Sequence, residues 1–332
     1  MMNNNLFIKF FILSNLINFA IIPLFIKNLL MIWFMMEINN FLFICYLCMK
    51  FNNKKLIFLY YMIQIIASLL MIFSMIFNNF FLFNLNFLMI NFYLSLMMKL
   101  GIPPFHLWMP IISIHMSWNI MFIFLSIQKI IPFYLLSIIL IQPMIFYYLI
   151  LSSAFISMYK MINLLNIKML MTYSSINQTS WMLFLIFLKN MFWLIYLTIY
   201  SLILFIIFLL FNYLKFSINF HLNKNLSMNF NLLYLMLIFN LASIPPMSFF
   251  LFKWMNLYIL IFNTNLHLMF IFMMMNSLIL MYIYINMMIL TMFFHLIKFK
   301  FFNFPMLLLN KNYIFIIFMF LNFFISFISM MI

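Results

Sequence analysis

Glu37, Lys99, Lys129 and Lys253 each fall inside a long apolar run, where charge is hardest to keep. Glu37 sits in MIWFMMEINNF, Lys99 in SLMMKLGIPPF, Lys129 in LSIQKIIPF and Lys253 in FFLFKWMNL. A charge at the centre of a bilayer costs about 2.5–3.5 kcal/mol on insertion scales, so such residues mark ion or proton paths by default. A carboxylate and three amines can each hold and release a proton, and the chemistry they suggest is proton transfer. Snorkelling toward an interface is the competing account. It has most room at Glu37 and Lys253, which lie nearer a span end.

Helix breakers surround two of the lysines. MMKLGIPPFHLWMP holds the only glycine of the chain, Gly101, and three of its nine prolines. The stretch ASIPPMSFFLFKW carries Pro245 and Pro246 ahead of Lys253. Proline lacks a backbone donor and clashes with the preceding turn, so a helix must break at both places. Broken backbone at membrane depth survives only where protein or a water-filled cavity satisfies it. Gly101, Pro103, Pro104, Pro245 and Pro246 are therefore expected to open two helices beside the lysines. His106 is a candidate for extending a water path; hydrogen bonding to freed backbone carbonyls is an equal alternative.

These residues need an apolar scaffold, and the composition supplies one. The chain of 332 residues is 70% hydrophobic and 5% charged, far from the quarter charged of soluble domains. Runs of about 20 apolar residues recur, each able to cross a hydrocarbon core of roughly 30 Å. The expected fold is all-α and polytopic, with about eleven spans near 5–26, 29–49, 56–78, 85–113, 116–140, 143–160, 168–188, 191–213, 229–262, 267–297 and 312–331. A lipid-embedded β-barrel would show alternating segments of about 10 residues, and those are absent. No linker divides the chain, so 1–332 reads as one transmembrane domain. The breaks fall in spans four and nine. Two five-span repeat units, 5–140 and 143–297, each have their broken helix fourth, with 312–331 as a C-terminal helix. Five is odd, so the second unit is inverted, an arrangement that marks ion sites in transporter folds.

The lysines also set a topology. With the N-terminus inside, eleven of the 16 lysines lie at inside ends or loops, and only Lys27 and Lys189 fall outside, the asymmetry of the positive-inside rule. The C-terminus then lies outside. A net charge of +15 would suggest nucleic acid in a soluble protein; here lysines anchor loops, and no nucleic-acid partner is expected. Cys45 and Cys48 form a C-x-x-C pair, but at the end of an apolar helix the spacing simply puts them on one face, and no metal site is expected.

Phe, Ile, Met, Asn, Lys, Tyr and Leu dominate, all with AT-rich codons, while Val and Asp are absent and Gly and Glu occur once each. Thirty-eight methionines suggest a code in which ATA reads as Met. The composition points to an AT-biased organellar genome, most simply an animal mitochondrion. The N-terminus runs straight into an apolar span with no small-residue cleavage site, which fits insertion from inside the organelle.

The motif Lys99-Leu100-Gly101 followed by Pro104-Phe105-His106, Trp108 and Pro110 resembles the subunit 2 family of mitochondrial NADH:ubiquinone oxidoreductase, respiratory complex I, an antiporter-like membrane subunit. WFMMEINNF resembles the family's tryptophan-to-glutamate-to-asparagine segment at Glu37. SIQKIIP resembles its W-Q-K-x-x-P stretch at Lys129 and Pro132. NIKMLMTYSSINQTSWM and ASIPPMSFFLFKW resemble two further motifs, the second placing its lysine at Lys253. The likeness covers roughly residues 30–260. The chain departs from the pattern at Ile111, where the family has glutamate, at Gln178, where it has histidine, and at Ser243 and Phe249, which stand for glycines.

The resemblance implies eleven helices, residence in the mitochondrial inner membrane with the N-terminus on the matrix side and the C-terminus on the intermembrane side, and proton transfer along a hydrated axis. Glu37 would pair with Lys99, Lys129 would relay, and Lys253 would form the terminal exchange site. The chain has no G-x-G-x-x-G, no phosphate loop and no cysteine set for an iron–sulfur cluster. Moving one charge against 100 mV costs about 2.3 kcal/mol, so the energy must come from elsewhere. The resemblance implies partner subunits of complex I that carry FMN, iron–sulfur clusters and ubiquinone, with phospholipids as further partners and no cofactor or redox site in this chain. The alternatives are a cation/proton antiporter subunit and a structural membrane subunit without its own proton path.

Overall fold

A computed structural model of the chain describes residues 2–51, 53–79, 85–139, 142–162, 164, 166–188, 191–213, 228–245, 247–261 and 266–301. The expected helix 312–331, the connection 214–228, Lys189, Lys311 and Pro246 lie outside them wholly or in their greater part. Every regular element among the described residues is helical. The chain divides into two compact units, residues 1–142 and 143–332.

The first unit holds α1 (Met2–Ile21), α2 (Leu29–Lys50), α3 (Lys54–Asn79), α4 (Leu85–Leu100), α5 (Trp108–His115), α6 (Trp118–Leu125) and α7 (Ile127–Ile138). Pro23 turns the chain after α1 through a short 3-10 helix, and Asn28 caps α2 by accepting from the Leu30 N–H at 3.2 Å, a standard way to satisfy a free donor at a helix start. Four rings hold this unit together. Phe43 of α2, Tyr60 of α3, Trp108 of α5 and Phe124 of α6 meet at centroid distances of 5.3–6.3 Å. Edge and tilted pairs of this kind add to simple area burial.

The second unit holds α8 (Pro143–Met161), α9 (Ile167–Phe187), α10 (Phe192–Tyr213), α11 (Met228–Ala242), α12 (Ser248–Ile261) and α13 (His267–Phe301). The sequence ends its tenth span near 297 and reads Lys298 and Lys300 as loop residues; the helix continues through both to Phe301. α9 is its centre, buried along nearly its whole length even though it carries the polar run YSSINQTS. Ser153, Ala154 and Ser157 of α8 let the two backbones approach, as small residues do between membrane helices. Asn177 of α9 donates to Ser157 Oγ at 3.1 Å. The hydroxyls of Ser174, Ser175, Thr179 and Ser180 turn back onto carbonyls three residues earlier, which removes them from the apolar surroundings at little cost.

Seven helical segments among the described residues are long and apolar enough to span a membrane: Phe7–Phe25, Leu29–Lys50, Lys54–Phe77, Trp118–Ile138, Pro143–Met161, Phe192–Asn212 and His267–Ile289. α9 is not among them, because a helix sheathed in protein does not need an apolar surface. The outer helices carry large exposed apolar side chains such as Phe10, Phe41, Phe58, Ile271 and Met275. This is the surface of an all-helical multi-pass membrane protein.

Candidate functional site

Both spans that carry I-P-P break, and by the same device. α4 ends at Leu100, Gly101 takes φ +63°, and the Ile102 N–H reaches back to the Met97 carbonyl at 3.0 Å. α11 ends at Ala242, Ser243 takes φ +57°, and the Ile244 N–H reaches back to the Phe239 carbonyl at 3.2 Å. Both are Schellman closures, in which a left-handed residue lets the next amide satisfy a carbonyl of the last turn. Pro103 and Pro245 follow and prevent resumption. Gly101 is required at its position twice over. Its φ suits glycine, and a Cβ there would stand 2.2 Å from Met109 Sδ.

A third break was not expected. The sequence reads 116–140 as one span with Lys129 midway; the structure interrupts it at Ser126, between α6 and α7. Ser126 Oγ donates to the Phe122 carbonyl at 2.6 Å, and the Lys129 N–H bonds the Ser126 carbonyl three residues back. Pro132 cannot donate to the Gln128 carbonyl. Loss of that bond and the hydroxyl back-bond, which bends helices, open the ladder one turn before Lys129. Only Pro132 was a sequence signal for it.

The breaks deliver the expected residues to buried positions. Lys99 lies in the last turn of α4, its side chain 2% exposed, and its Nζ donates to Glu37 Oε1 of α2 at 2.7 Å. The exposed carbonyls of a helix C-terminus favour a cation there as well. Glu37 keeps a side-chain exposure of 27%. Beside this pair lies a small cavity of about 10 Å³, room for roughly one water centre, whose walls include both Lys99 and Lys129. Asn39, Asn40, Gln64 and Gln128 complete its polar lining, with Tyr60, Trp108 and Phe124 of the ring cluster beneath. Asn39 Oδ1, Asn40 Nδ2 and Gln128 Nε2 are buried with no hydrogen-bond partner in the protein, and buried amides of this kind are normally satisfied by water where protein does not do so. The sequence analysis singles out none of these four amides as site residues, although Asn39, Asn40 and Gln128 lie in the motifs around Glu37 and Lys129. His106 is buried in the turn after α4, its carbonyl accepting from the Met109 N–H at 3.1 Å, and is not among the residues that wall the cavity.

Lys253 belongs to the second unit. It is 4% exposed on α12, donates to Ser243 Oγ at 2.6 Å and lies 5.4 Å from the centre of the Trp181 ring. The serine that replaces a glycine at a left-handed position thus supplies the hydroxyl on the ammonium. Asn240 Oδ1 accepts from Ser248 Oγ at 2.9 Å and from the Phe249 N–H at 3.4 Å, tying the end of α11 to the start of α12. Gln178 Oε1 accepts from Tyr196 Oη, whose ring rests against Phe249 and Phe252. Cys45 and Cys48 are free thiols on α2.

Helices broken at Schellman closures next to buried lysines mark this all-helical multi-pass membrane chain, and solved structures share its fold. A chain of respiratory complex I from Thermus thermophilus matches with a TM-score of 0.68 at 15% identity, over 77% of this chain and 64% of that one. A chain of the membrane-bound sulfane sulfur reductase, an archaeal respiratory membrane complex, matches with a TM-score of 0.69 at 12% identity, over 90% and 68%. No family model matches the chain. Among curated proteins, NADH-ubiquinone oxidoreductase chain 2 of Anopheles gambiae is 32% identical over 76% of this chain and 75% of its own length. The corresponding protein of Artemia franciscana is 30% identical over 68% and 72%, and that of Rhipicephalus sanguineus 34% over 69% and 72%. The chain belongs to the NADH-ubiquinone oxidoreductase chain 2 family.

Proposed function

We propose that this chain is a core membrane subunit of a proton-translocating NADH:ubiquinone oxidoreductase in the mitochondrial inner membrane, and that Glu37, Lys99, Lys129 and Lys253 move protons within it. The carrying observation is the 2.7 Å Lys99–Glu37 pair set against a polar cavity that also contains Lys129. Glu37 holds the Lys99 ammonium in place. Displacing the carboxylate removes that stabilisation, and the proton can pass through a water held by the amides toward the Lys129 amine. Breaks at Ser126 and Gly101 give the backbone freedom to let Lys129 and Lys99 exchange partners. Lys253 holds its proton against Ser243 and Trp181 and serves as the exchange site of the second unit, which we read as the inverted counterpart of the first. Nothing in this chain supplies the roughly 2.3 kcal/mol per charge that 100 mV demands. Redox chemistry at FMN, iron–sulfur clusters and quinone in partner subunits provides it, and the N-terminus faces the matrix.

The test is Lys99→Met in the assembled enzyme, read as protons moved per NADH oxidised. The substitution leaves Glu37 partly solvated, so assembly survives while pumping falls severalfold. Normal pumping by the assembled variant would favour a purely structural subunit.

A further inference from the structure

The first unit contains a second and much larger concavity, well separated in character from the polar cavity. It is a cleft of about 700 Å³, within the 300–1,000 Å³ range of ligand sites. Its walls are mostly apolar, with Ile72, Met75 and Ile76 of α3, Leu88, Met89 and Phe92 of α4, and Ile138 at the end of α7; Asn28 and Ser74 are the polar residues among them. Lys27 is the one charged residue among those that line it. It lies on the turn before α2 and is exposed. That turn is fixed in place, because Tyr134 Oη of α7 donates to the Ile26 carbonyl at 3.0 Å and Asn28 caps α2. On the topology expected from the sequence, Lys27 is also one of the two lysines on the lysine-poor side, and proton transfer does not account for it.

We infer that this cleft binds an anionic phospholipid of the surrounding bilayer, its phosphate on Lys27 and an acyl chain along α3 and α4. The walls suit a hydrocarbon tail, which has no polar group to satisfy. The cation at one end suits a headgroup carrying negative charge. The α2 N-terminus beside Lys27 adds backbone dipoles of the favourable sign. A peptide segment seated here would bring backbone donors and acceptors that these apolar walls leave unsatisfied.

The experiment uses native membranes containing the intact enzyme. Phosphatidylglycerol with a diazirine in its acyl chain is introduced, and in parallel the same probe as phosphatidylcholine. After irradiation, cross-linked peptides are identified by mass spectrometry. The anionic probe is expected to label Ile72, Met75 or Met89 several times more efficiently than the zwitterionic one. Lys27→Gln should lower that preference about fivefold, what one lysine contributes at an anionic surface, with NADH oxidation unchanged. Ser74→Trp, which fills the cleft from α3, should abolish labelling by both probes. Equal labelling by the two lipids, or no labelling in an assembled enzyme, would overturn the proposal.

Discussion

Lys253 sits where two small effects oppose each other at Ser243. A side chain at φ +57° costs about 1–2 kcal/mol relative to the ordinary helical region, whereas a hydrogen bond to a charged group returns about 1.5–3 kcal/mol. Ser243→Gly removes both terms, and Ser243→Ala removes only the favourable one. The glycine variant is therefore expected to resist thermal inactivation better than the alanine variant, by about 1–2 kcal/mol. Both should pump more slowly than the native enzyme, because the ammonium loses its 2.6 Å anchor. Equal stability of the two would mean that the backbone relaxes out of the left-handed region. Gln128 poses a separate question. Its amide nitrogen is buried without a hydrogen-bond partner, and the residue lines the cavity along with Lys99 and Lys129. Gln128→Leu keeps the volume and deletes the polar partner, so a dry cavity should result. Pumping by the assembled variant is expected to fall severalfold with NADH oxidation affected far less, measured by simultaneous recording of both; an unaltered proton ratio would place the path elsewhere.

The helices are built to end early rather than to run through. Gly101 closes α4 and leaves no space for a Cβ against Met109. Gly101→Ala should lower the thermal stability of the assembled enzyme by about 1–2 kcal/mol for the backbone conformation alone, with the Met109 clash added. In a Met109→Ala background the clash disappears, and the cost of Gly101→Ala should shrink to that backbone share. A double-mutant cycle on inactivation temperatures separates the two contributions; additivity would show that Met109 simply swings aside. The break at Ser126 works differently, through a back-bonding hydroxyl and a proline six residues later. It places Lys129 in the first turn of α7, five residues after the Phe124 ring that α6 contributes to the cluster.

At the scale of the whole molecule, the proposed proton transfer depends on an energy source in partner subunits. On a native gel of gently solubilised membranes, the chain is expected to migrate with the large band that stains for NADH oxidation, identified there by mass spectrometry. Migration in a separate, inactive band would instead favour an antiporter working without NADH. Each compact unit carries its own lysines, the first Lys99 and Lys129, the second Lys253. The proposed transfer therefore has one segment with a visible polar connection and one anchored locally by Ser243 and Trp181.

The sequence alone determined the class of fold and the residues of interest. Uninterrupted apolar runs have few solutions other than membrane helices, and Glu37, Lys99, Lys129 and Lys253 stand out because charge inside such runs is costly. I-P-P in two spans announced two breaks, since proline acts through its own covalent structure. What the sequence left hidden depends on neighbours distant in the chain. Asn39, Asn40, Gln64 and Gln128 look like scattered polar substitutions until α2, α3 and α7 bring them around one cavity. Ser243 looks like a lost glycine until the closure of α11 turns its hydroxyl onto Lys253. The sequence reads 168–188 as one apolar span among eleven, and α9 is in fact the buried axis of its unit, because burial by protein, unlike burial by lipid, leaves room for hydroxyls and amides. Only the tertiary structure decides which of the two surrounds a helix.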